Sequence, residues 1–416
     1  MKKTDGHSSD VPSNQIEAEC NLDESRRNFM KSALVGSAAL SVMTPWQMAE
    51  AQVAGRATNR TIRGVGVAPG VVQISSNENP LGASPRAIEA VLRHMGSSNR
   101  YYRSSALESA IANLHELDYE PPRRVPGQPR RIGPILMAAG SGQVLHSLAR
   151  TYFENAGDEM VAAVPSYGSI ERDWEEFGGV VHRVPLKDYR HDLTAMLAKV
   201  HRGTKMVSIC NPNNPTGTIV PYHEVESFIN EVPEQVLVVV DEAYVEFVGD
   251  QNYRTSISLA ATRKNVMSIR TFSKIFGLAG VRVGYAIAHP DVNEKMSKYH
   301  YDNGISLYGK VAAEAALTDY SHQRNSRRLA IEMKAYFAEQ FADMGLEYVP
   351  SESSFMMVNL KRDARPVGRA LAERKISVAD AERRWDMKGW MRVSVGTREE
   401  SEAFVTALRE ILTTAL

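Results

Sequence analysis

The chain has 416 residues, 43% of them apolar and 24% charged, enough to bury a large core and to form more than one domain. Lysine plus arginine balances aspartate plus glutamate at 49 each, and the basic residues form no long block. That sets aside a nucleic-acid binder and leaves any affinity for anions local.

At the amino terminus a polar stretch runs into Ser25-Arg26-Arg27-Asn28-Phe29-Met30-Lys31, followed by a mildly apolar segment over 32–43 and by the small-x-small triplet Ala49-Glu50-Ala51. This is the pattern of a twin-arginine signal with cleavage after Ala51; the bland reading is an uncleaved tail holding a chance arginine pair. The apolar part is short and rich in Ala, Gly and Ser, so it does not span a bilayer stably. Cys20 falls in this leader and Cys210 alone remains in the mature chain, which excludes an intramolecular disulfide. A chain that folds and acquires its ligand in a reducing compartment before export needs none. Cys210 ends an apolar run and reads as a buried strand residue rather than a nucleophile.

Beyond the leader, short Val- and Ile-rich runs alternate with amphipathic stretches of helical length, as in an α/β domain with a mainly parallel sheet. Strands are predicted over 135–139, 159–164, 180–184, 206–210, 236–240, 266–270 and 284–288, and helices over 85–94, 104–116, 142–153, 169–177 and 223–230. A Pro-rich segment over 120–133 with two arginine pairs reads as an exposed loop. From 307 to 344 the pattern becomes one long helical stretch broken near Ser321, bridging to strands over 354–359, 376–379 and 391–395 and a last helix from Ser401. The implied division is a leader 1–51, an arm 52–80, a large domain 81–303 and a small domain 304–416.

Several strand ends carry chemistry. Asp241 follows the buried run 236–240, where an ionised carboxylate needs a cationic partner; the alternative is a helix cap. Asn214, before Pro215 in the turn Asn211-Pro212-Asn213-Asn214-Pro215-Thr216-Gly217, is held extended and can present its amide, or serves the turn's geometry alone. Lys274 lies in Thr271-Phe272-Ser273-Lys274, just past another strand. Most lysines are solvated, but one in an apolar setting has a lowered pKa and can condense with an aldehyde. Gly140-Ser141-Gly142-Gln143 opens a helix whose backbone N–H groups can face an anion, and Thr271, Ser273 and Arg282 add hydroxyls and a fixed charge. Tyr167, in Pro165-Ser166-Tyr167-Gly168, offers an aromatic face, and Tyr244, in Asp241-Glu242-Ala243-Tyr244, offers a hydroxyl or simply packs. An amine for an aldehyde, an acid for a ring nitrogen, donors for a ring oxygen and a cradle for phosphate together read as a pyridoxal 5'-phosphate (PLP) site. Arg392, alternating with apolar residues in Met391-Arg392-Val393, is either a surface-facing strand residue or a carboxylate clamp.

These runs, with Asn77-Glu78-Asn79-Pro80-Leu81-Gly82 and Val395-Gly396-Thr397-Arg398-Glu399-Glu400, resemble the fold-type I PLP aminotransferases, and within class I/II most closely the histidinol-phosphate aminotransferase branch. The resemblance implies an aspartate-aminotransferase-like three-layer α/β/α large domain with a smaller α/β domain. It also implies a ping-pong exchange of an amino group between an L-amino acid, or a related amine such as histidinol phosphate, and a 2-oxo acid. In it Lys274 would form the Schiff-base linkage and shuttle the substrate proton. Asp241 would pair with the ring nitrogen, Asn214 and Tyr244 with O3', and Tyr167 would stack on the ring. Ser141, Gly142, Gln143, Thr271, Ser273 and Arg282 would hold the phosphate and Arg392 the substrate carboxylate. Tyr101, in Asn99-Arg100-Tyr101-Tyr102, matches a tyrosine that reaches the phosphate of the neighbouring subunit, which implies a homodimer.

The substrate half departs from that branch. Its members typically carry an arginine thirteen residues before the carboxylate arginine, in a Val-Arg-Asp run, to grip the substrate phosphate; here the run is Val378-Ala379-Asp380. Arg383 or Arg384 are the candidates to compensate, and the alanine admits a different amino acid, larger or uncharged at its far end. The competing functions are a PLP decarboxylase such as the threonine-phosphate decarboxylases, a lyase, or a non-catalytic PLP-binding sensor. Retention of Lys274 argues against the last.

Overall fold

The computed structural model describes residues 62–121, 132–301 and 304–414. The expectations for the leader, for cleavage after Ala51 and for most of the loop at 120–133 lie outside those residues.

After a short strand β1 (Val72–Gln73), all seven strands expected up to residue 288 form and join one sheet. They are β2 (Ile135–Ala138), β3 (Glu159–Val164), β4 (Val180–Pro185), β5 (Thr204–Cys210), β6 (Leu237–Asp241), β7 (Val266–Thr271) and β8 (Gly284–Ile287), in the order β2-β8-β7-β6-β5-β3-β4. Only β8 runs antiparallel, to both β2 and β7. Every residue of β6 and β7 is buried, as expected of strands covered on both faces.

The period of two along the strands sorts their side chains into two separate cores. Val161, Ala163, Val238 and Val240 pack on one side with Ile111, Val225, Phe228 and Ala312. Met160, Ala162, Leu237 and Val239 pack on the other with Leu145, Leu148, Ile170, Trp174 and Met296. Helices thus cover both faces, and the architecture is the three-layer α/β/α arrangement of an aspartate-aminotransferase-like fold.

A second sheet follows. Its strands β9 (Glu347–Val349), β10 (Phe355–Asn359), β12 (Ala379–Asp380) and β13 (Trp390–Ser394) are antiparallel in the order β12-β13-β10-β9. A third core, with Phe337, Phe341, Val358, Val393, Phe404 and Leu408, lies against it. The single strand expected over 376–379 is two: β11 (Ile376–Ser377) pairs in parallel with β1, whereas β12 turns away to β13. The long helical stretch divides into Leu307–Leu317 and Tyr320–Asp343, because the Asp319 side chain accepts from His322 N–H and starts a new helix. The last helix, Arg398–Thr413, begins three residues earlier than expected; Thr397 and Glu400 form a capping box that periodicity alone does not reveal.

Candidate active site

The carboxyl ends of β2, β3, β5, β6 and β7 share one edge of the large sheet, and the loops leaving them wall a cavity of about 1170 Å³. Ser141 and Gly142 follow β2, Tyr167 follows β3 and Asn214 follows β5, while Asp241 ends β6 with Tyr244 just beyond. Thr271 ends β7, Ser273 and Lys274 come next, Arg282 precedes β8, and Arg392 enters from β13 of the second sheet. Eleven of the thirteen residues singled out in the sequence therefore line one cavity.

Asp241 is 6% exposed and accepts one hydrogen bond, from Ala243 N–H at 3.1 Å. Burial raises its carboxyl to about 6, partly offset by that hydrogen bond. Lys274 Nζ donates to Ser76 carbonyl oxygen at 3.4 Å and stands 5.5 Å from the Tyr244 ring centroid. Desolvation, with the nearby Arg392 cation, lowers its ammonium to about 8. The Tyr244 hydroxyl accepts from Asn77 Nδ2 at 2.9 Å, so its own hydrogen is free to donate, and burial pushes its pKa up.

Arg392 is 2% exposed, which resolves the alternative left by the sequence: this strand residue faces inward. Its Nη1 donates to Asn214 Oδ1 at 2.6 Å and its Nη2 to Ser75 carbonyl oxygen at 2.7 Å. The guanidinium carbon lies 5.0 Å from the Trp385 ring centroid and 5.2 Å from that of Phe355. Desolvation, with Arg384 nearby, lowers its pKa to about 10. Because Asn214 Oδ1 is taken by a cation, its Nδ2 is the atom left to donate.

At the other end of the cavity, the helix Ser141–Tyr152 begins directly after Gly140, whose φ of 88° suits glycine. A Cβ on Gly140 would stand 2.3 Å from Arg282 Nη2, so the turn and the guanidinium fit together only without a side chain there. Arg282 itself is held at a φ of 61°, a region rarely used by arginine, with Nη1 donating to Ala279 carbonyl oxygen at 2.9 Å. Thr271 Oγ1 accepts from Ser273 N–H at 3.1 Å, which orients the Thr271 hydroxyl, and Ser273 Oγ accepts from Arg282 Nη1 at 3.5 Å.

Two residues stand elsewhere. Gln143 turns its side chain to the backbone, accepting from Ala139 N–H at 2.6 Å and donating to Tyr301 carbonyl oxygen at 3.1 Å. Tyr101 is 91% exposed and lines no part of its own chain's cavity. In turn, the wall includes residues not singled out as contributors: Ser76, Asn77 and Glu78 from the amino-terminal segment, Cys210 and Ala243 from strand ends, and Trp385 and Met387. Asn77 carries a signal in retrospect, since its φ of 56° and its bonds to Ser394 and Tyr244 lock that segment onto the site. Cys210 is buried at the end of β5, its thiol pushed up by burial, as expected of a strand residue rather than a nucleophile.

The donor set fits PLP. Asp241, a desolvated carboxylate with no salt bridge among the described residues, suits a protonated ring nitrogen. A depressed lysine suits an aldehyde, and a helix start with three hydroxyls and a fixed guanidinium suits a phosphate dianion. Fold and site together define a PLP-dependent aminotransferase.

Comparison with known proteins agrees. Residues 69–408 match the model for aminotransferase class I and II, and the chain belongs to that family. It is similar to a histidinol-phosphate aminotransferase of Moorella thermoacetica, 39% identical over 352 residues that cover 82% of this chain and 86% of the relative. The crystal structure of histidinol-phosphate aminotransferase from Sinorhizobium meliloti in complex with pyridoxal-5'-phosphate aligns with a TM-score of 0.73 at 26% identity, covering 91% of this chain and 99% of that one. A Thermus thermophilus aspartate aminotransferase shares the fold, with a TM-score of 0.71 at 21% identity over 82% of this chain and 91% of that one.

Proposed function

We propose that Lys274 is the catalytic lysine of a ping-pong transaminase that moves an amino group between an anionic amine and a 2-oxo acid. The observation that carries this reading is the depressed, half-buried Lys274 amine in one cavity with Asp241 and Arg392. When bound, PLP supplies the aldehyde that exchanges for an amino group and the electron sink that stabilises charge at the substrate's alpha carbon. Asp241 holds the ring nitrogen, Asn214 Nδ2 and the Tyr244 hydroxyl donate to O3', and Tyr167 covers the ring. Ser141, Gly142, Thr271, Ser273 and Arg282 hold the phosphate. Gln143, in the same turn, is outside the cavity lining and its side chain bonds to backbone atoms. Lys274 Nζ, poised to be neutral, takes the proton from the substrate's alpha carbon and returns it on the other side of the exchange.

Arg392 grips the carboxylate or phosphate nearest the reacting carbon. Ala379, 1% exposed and paired with Arg392 across β12 and β13, leaves that strand without a second cation. Arg383 and Arg384 line the cavity from the helix Ala381–Trp385 and give the far end of the substrate two exposed guanidinium groups to meet. The substrate is thus an L-amino acid or a phosphorylated amino alcohol such as histidinol phosphate. A donor panel containing both classes, read as conversion of the cofactor to its pyridoxamine form, tests this. Release of carbon dioxide instead of a 2-oxo acid would exclude it in favour of a decarboxylase, and full turnover by Lys274→Ala would exclude the mechanism.

The working unit in this proposal is a homodimer in which Tyr101 reaches the neighbour's phosphate. The division in this proposal is two lobes, 81–303 and 304–416, with 52–80 as an arm, although the helix Leu307–Leu317 packs through Ala312 and Ala316 into the core of the large sheet. The leader 1–51 addresses the folded, PLP-loaded protein to twin-arginine export and a periplasmic location, with cleavage after Ala51. Replacing Arg26 and Arg27 by lysine is expected to keep the protein in the cytoplasmic fraction; unaltered export would reject the signal.

A further inference from the structure

The amino ends of β3, β4 and β5 lie at the edge of the sheet opposite the active site, and three metal-ligating side chains meet there. Glu159 is the first residue of β3, and its neighbour on β4 is Val180; His182 lies two residues on, opposite Val161. Residues two apart on paired strands share a face, so the register itself brings Glu159 and His182 together. On the other side of β3, Glu159 is opposite Thr204, the start of β5, and His201 sits in the turn just before it. The outcome is convergence: Nε2 of both histidines contacts Oε2 of Glu159, with His201 at 2.8 Å. All three ligand atoms lie within 4.8 Å of one another.

We propose that Glu159, His182 and His201 form a binding site for a divalent transition cation, with zinc as its probe, that staples the edge strand β4 to β3 and to the entry of β5. Two imidazoles and one carboxylate are a borderline donor set that suits zinc or copper and not magnesium or calcium. Ligation at about 2.1 Å needs donor atoms roughly 3.4 Å apart, so the carboxylate and the rings must separate by about an ångström. The three side chains are 24%, 33% and 48% exposed, which leaves them free to make that adjustment and leaves water a route to a fourth position.

The protons are accounted for. Gly203 N–H donates to Nδ1 of His201 at 3.2 Å, so the ring proton now sits on Nε2 and faces Glu159. Ligation through Nε2 moves that proton to Nδ1 and releases the long contact to Gly203. His182 has no such contact at Nδ1 among the hydrogen bonds of the described residues, and its tautomer is free to switch. Of the nearby cations, Lys205 is paired with Glu154 and Asp158, and Arg202 in the turn beside His201 is exposed to solvent, which screens its charge. The active site lies past the far end of β3, where Val164 and Pro165 line its cavity, about 16 Å along a strand rising 3.3 Å per residue. The staple therefore acts on the edge of the sheet and not on the reaction.

The test uses the PLP-loaded mature chain without a histidine tag, titrated with zinc against a chromophoric competitor. One equivalent per chain with micromolar affinity is expected, with a rise of several degrees in the thermal midpoint at saturating zinc. His182→Gln and His201→Gln are each expected to weaken binding at least tenfold while amino transfer is unchanged. Cobalt bound at the same stoichiometry should show visible bands that both variants lose, a readout independent of stability. Absence of saturable binding, or an equivalent of zinc that survives in both variants, overturns the proposal.

Discussion

Lys274 shows how burial sets reactivity. With its ammonium lowered to about 8, roughly a tenth of the chains carry a neutral amine at pH 7, against about three in ten thousand for an ordinary lysine. Reconstitution of the PLP-free protein is therefore expected to quicken about tenfold per pH unit below 8 and to level off above it, followed by absorbance; a rate still rising steeply at pH 9 would contradict the depressed amine. Asp241 is the complementary case, a carboxylate raised by burial until a cation faces it. Asp241→Asn removes the charge and keeps the shape, and a loss of about 3–5 kcal/mol for breaking a buried pair corresponds to a fall in turnover of about 10²- to nearly 10⁴-fold. Glu171 is buried behind the site in the helix Ser169–Glu176, where burial raises its carboxyl to about 7 and Oε2 has no partner. A carboxyl whose folded pKa is raised contributes stability below about 4.5 that is lost as pH rises through about 7. Glu171→Gln should therefore raise the thermal midpoint at pH 8 by the equivalent of about 3 kcal/mol and at pH 5 by less than about 1 kcal/mol, measured by calorimetry at both values.

Gly284, the first residue of β8, ties the sheet to the phosphate end. A Cβ there would meet Ser141 N at 2.5 Å and Arg270 carbonyl oxygen at 3.0 Å, both backbone atoms that a side-chain rotation cannot move. Gly284→Ala is expected to destabilise the fold by roughly 1–3 kcal/mol and to weaken PLP binding at least tenfold by shifting the Ser141 N–H, as read by denaturant melts and cofactor titration. Such close approaches are the part of the fold that sequence does not display. The strands of the large sheet are legible because they are buried on both faces and read as unbroken Val and Ile runs, and their tips are legible because polar residues such as Asp241 and Asn214 end those runs. The second sheet is less so. The segment 376–380 divides its hydrogen bonds between β1 and β13, a choice of partners made by tertiary packing across some three hundred residues. The same distance hides Asn77, whose role depends on Tyr244 and Ser394 arriving beside it. Gln143 is hidden in the opposite way, since a good position in the helix-opening turn does not reveal that its side-chain amide bonds to Ala139 and Tyr301.

For the whole molecule, the cavity holds most of its own donors, and the proposed homodimer rests on Tyr101, which lies outside that cavity. A tyrosine 91% exposed, in the segment ahead of the helix Ala106–Leu114, contributes almost nothing to the packing of its own chain. Removing its hydroxyl therefore separates two explanations that most substitutions confound. If Tyr101 serves only its own fold, Tyr101→Phe is silent, because an exposed hydroxyl loses nothing when water replaces its contacts. If it reaches the neighbour's phosphate, the lost bond is to a charged acceptor and is worth about 1.5–3 kcal/mol, so PLP affinity falls about 10- to 100-fold. The thermal midpoint of the PLP-free protein stays the same, because the hydroxyl supports nothing within the subunit. Light scattering should give twice the mass of the mature chain for wild type and variant alike. A single-chain mass, or unchanged PLP affinity in Tyr101→Phe, would remove the shared site and leave each subunit to bind its cofactor alone.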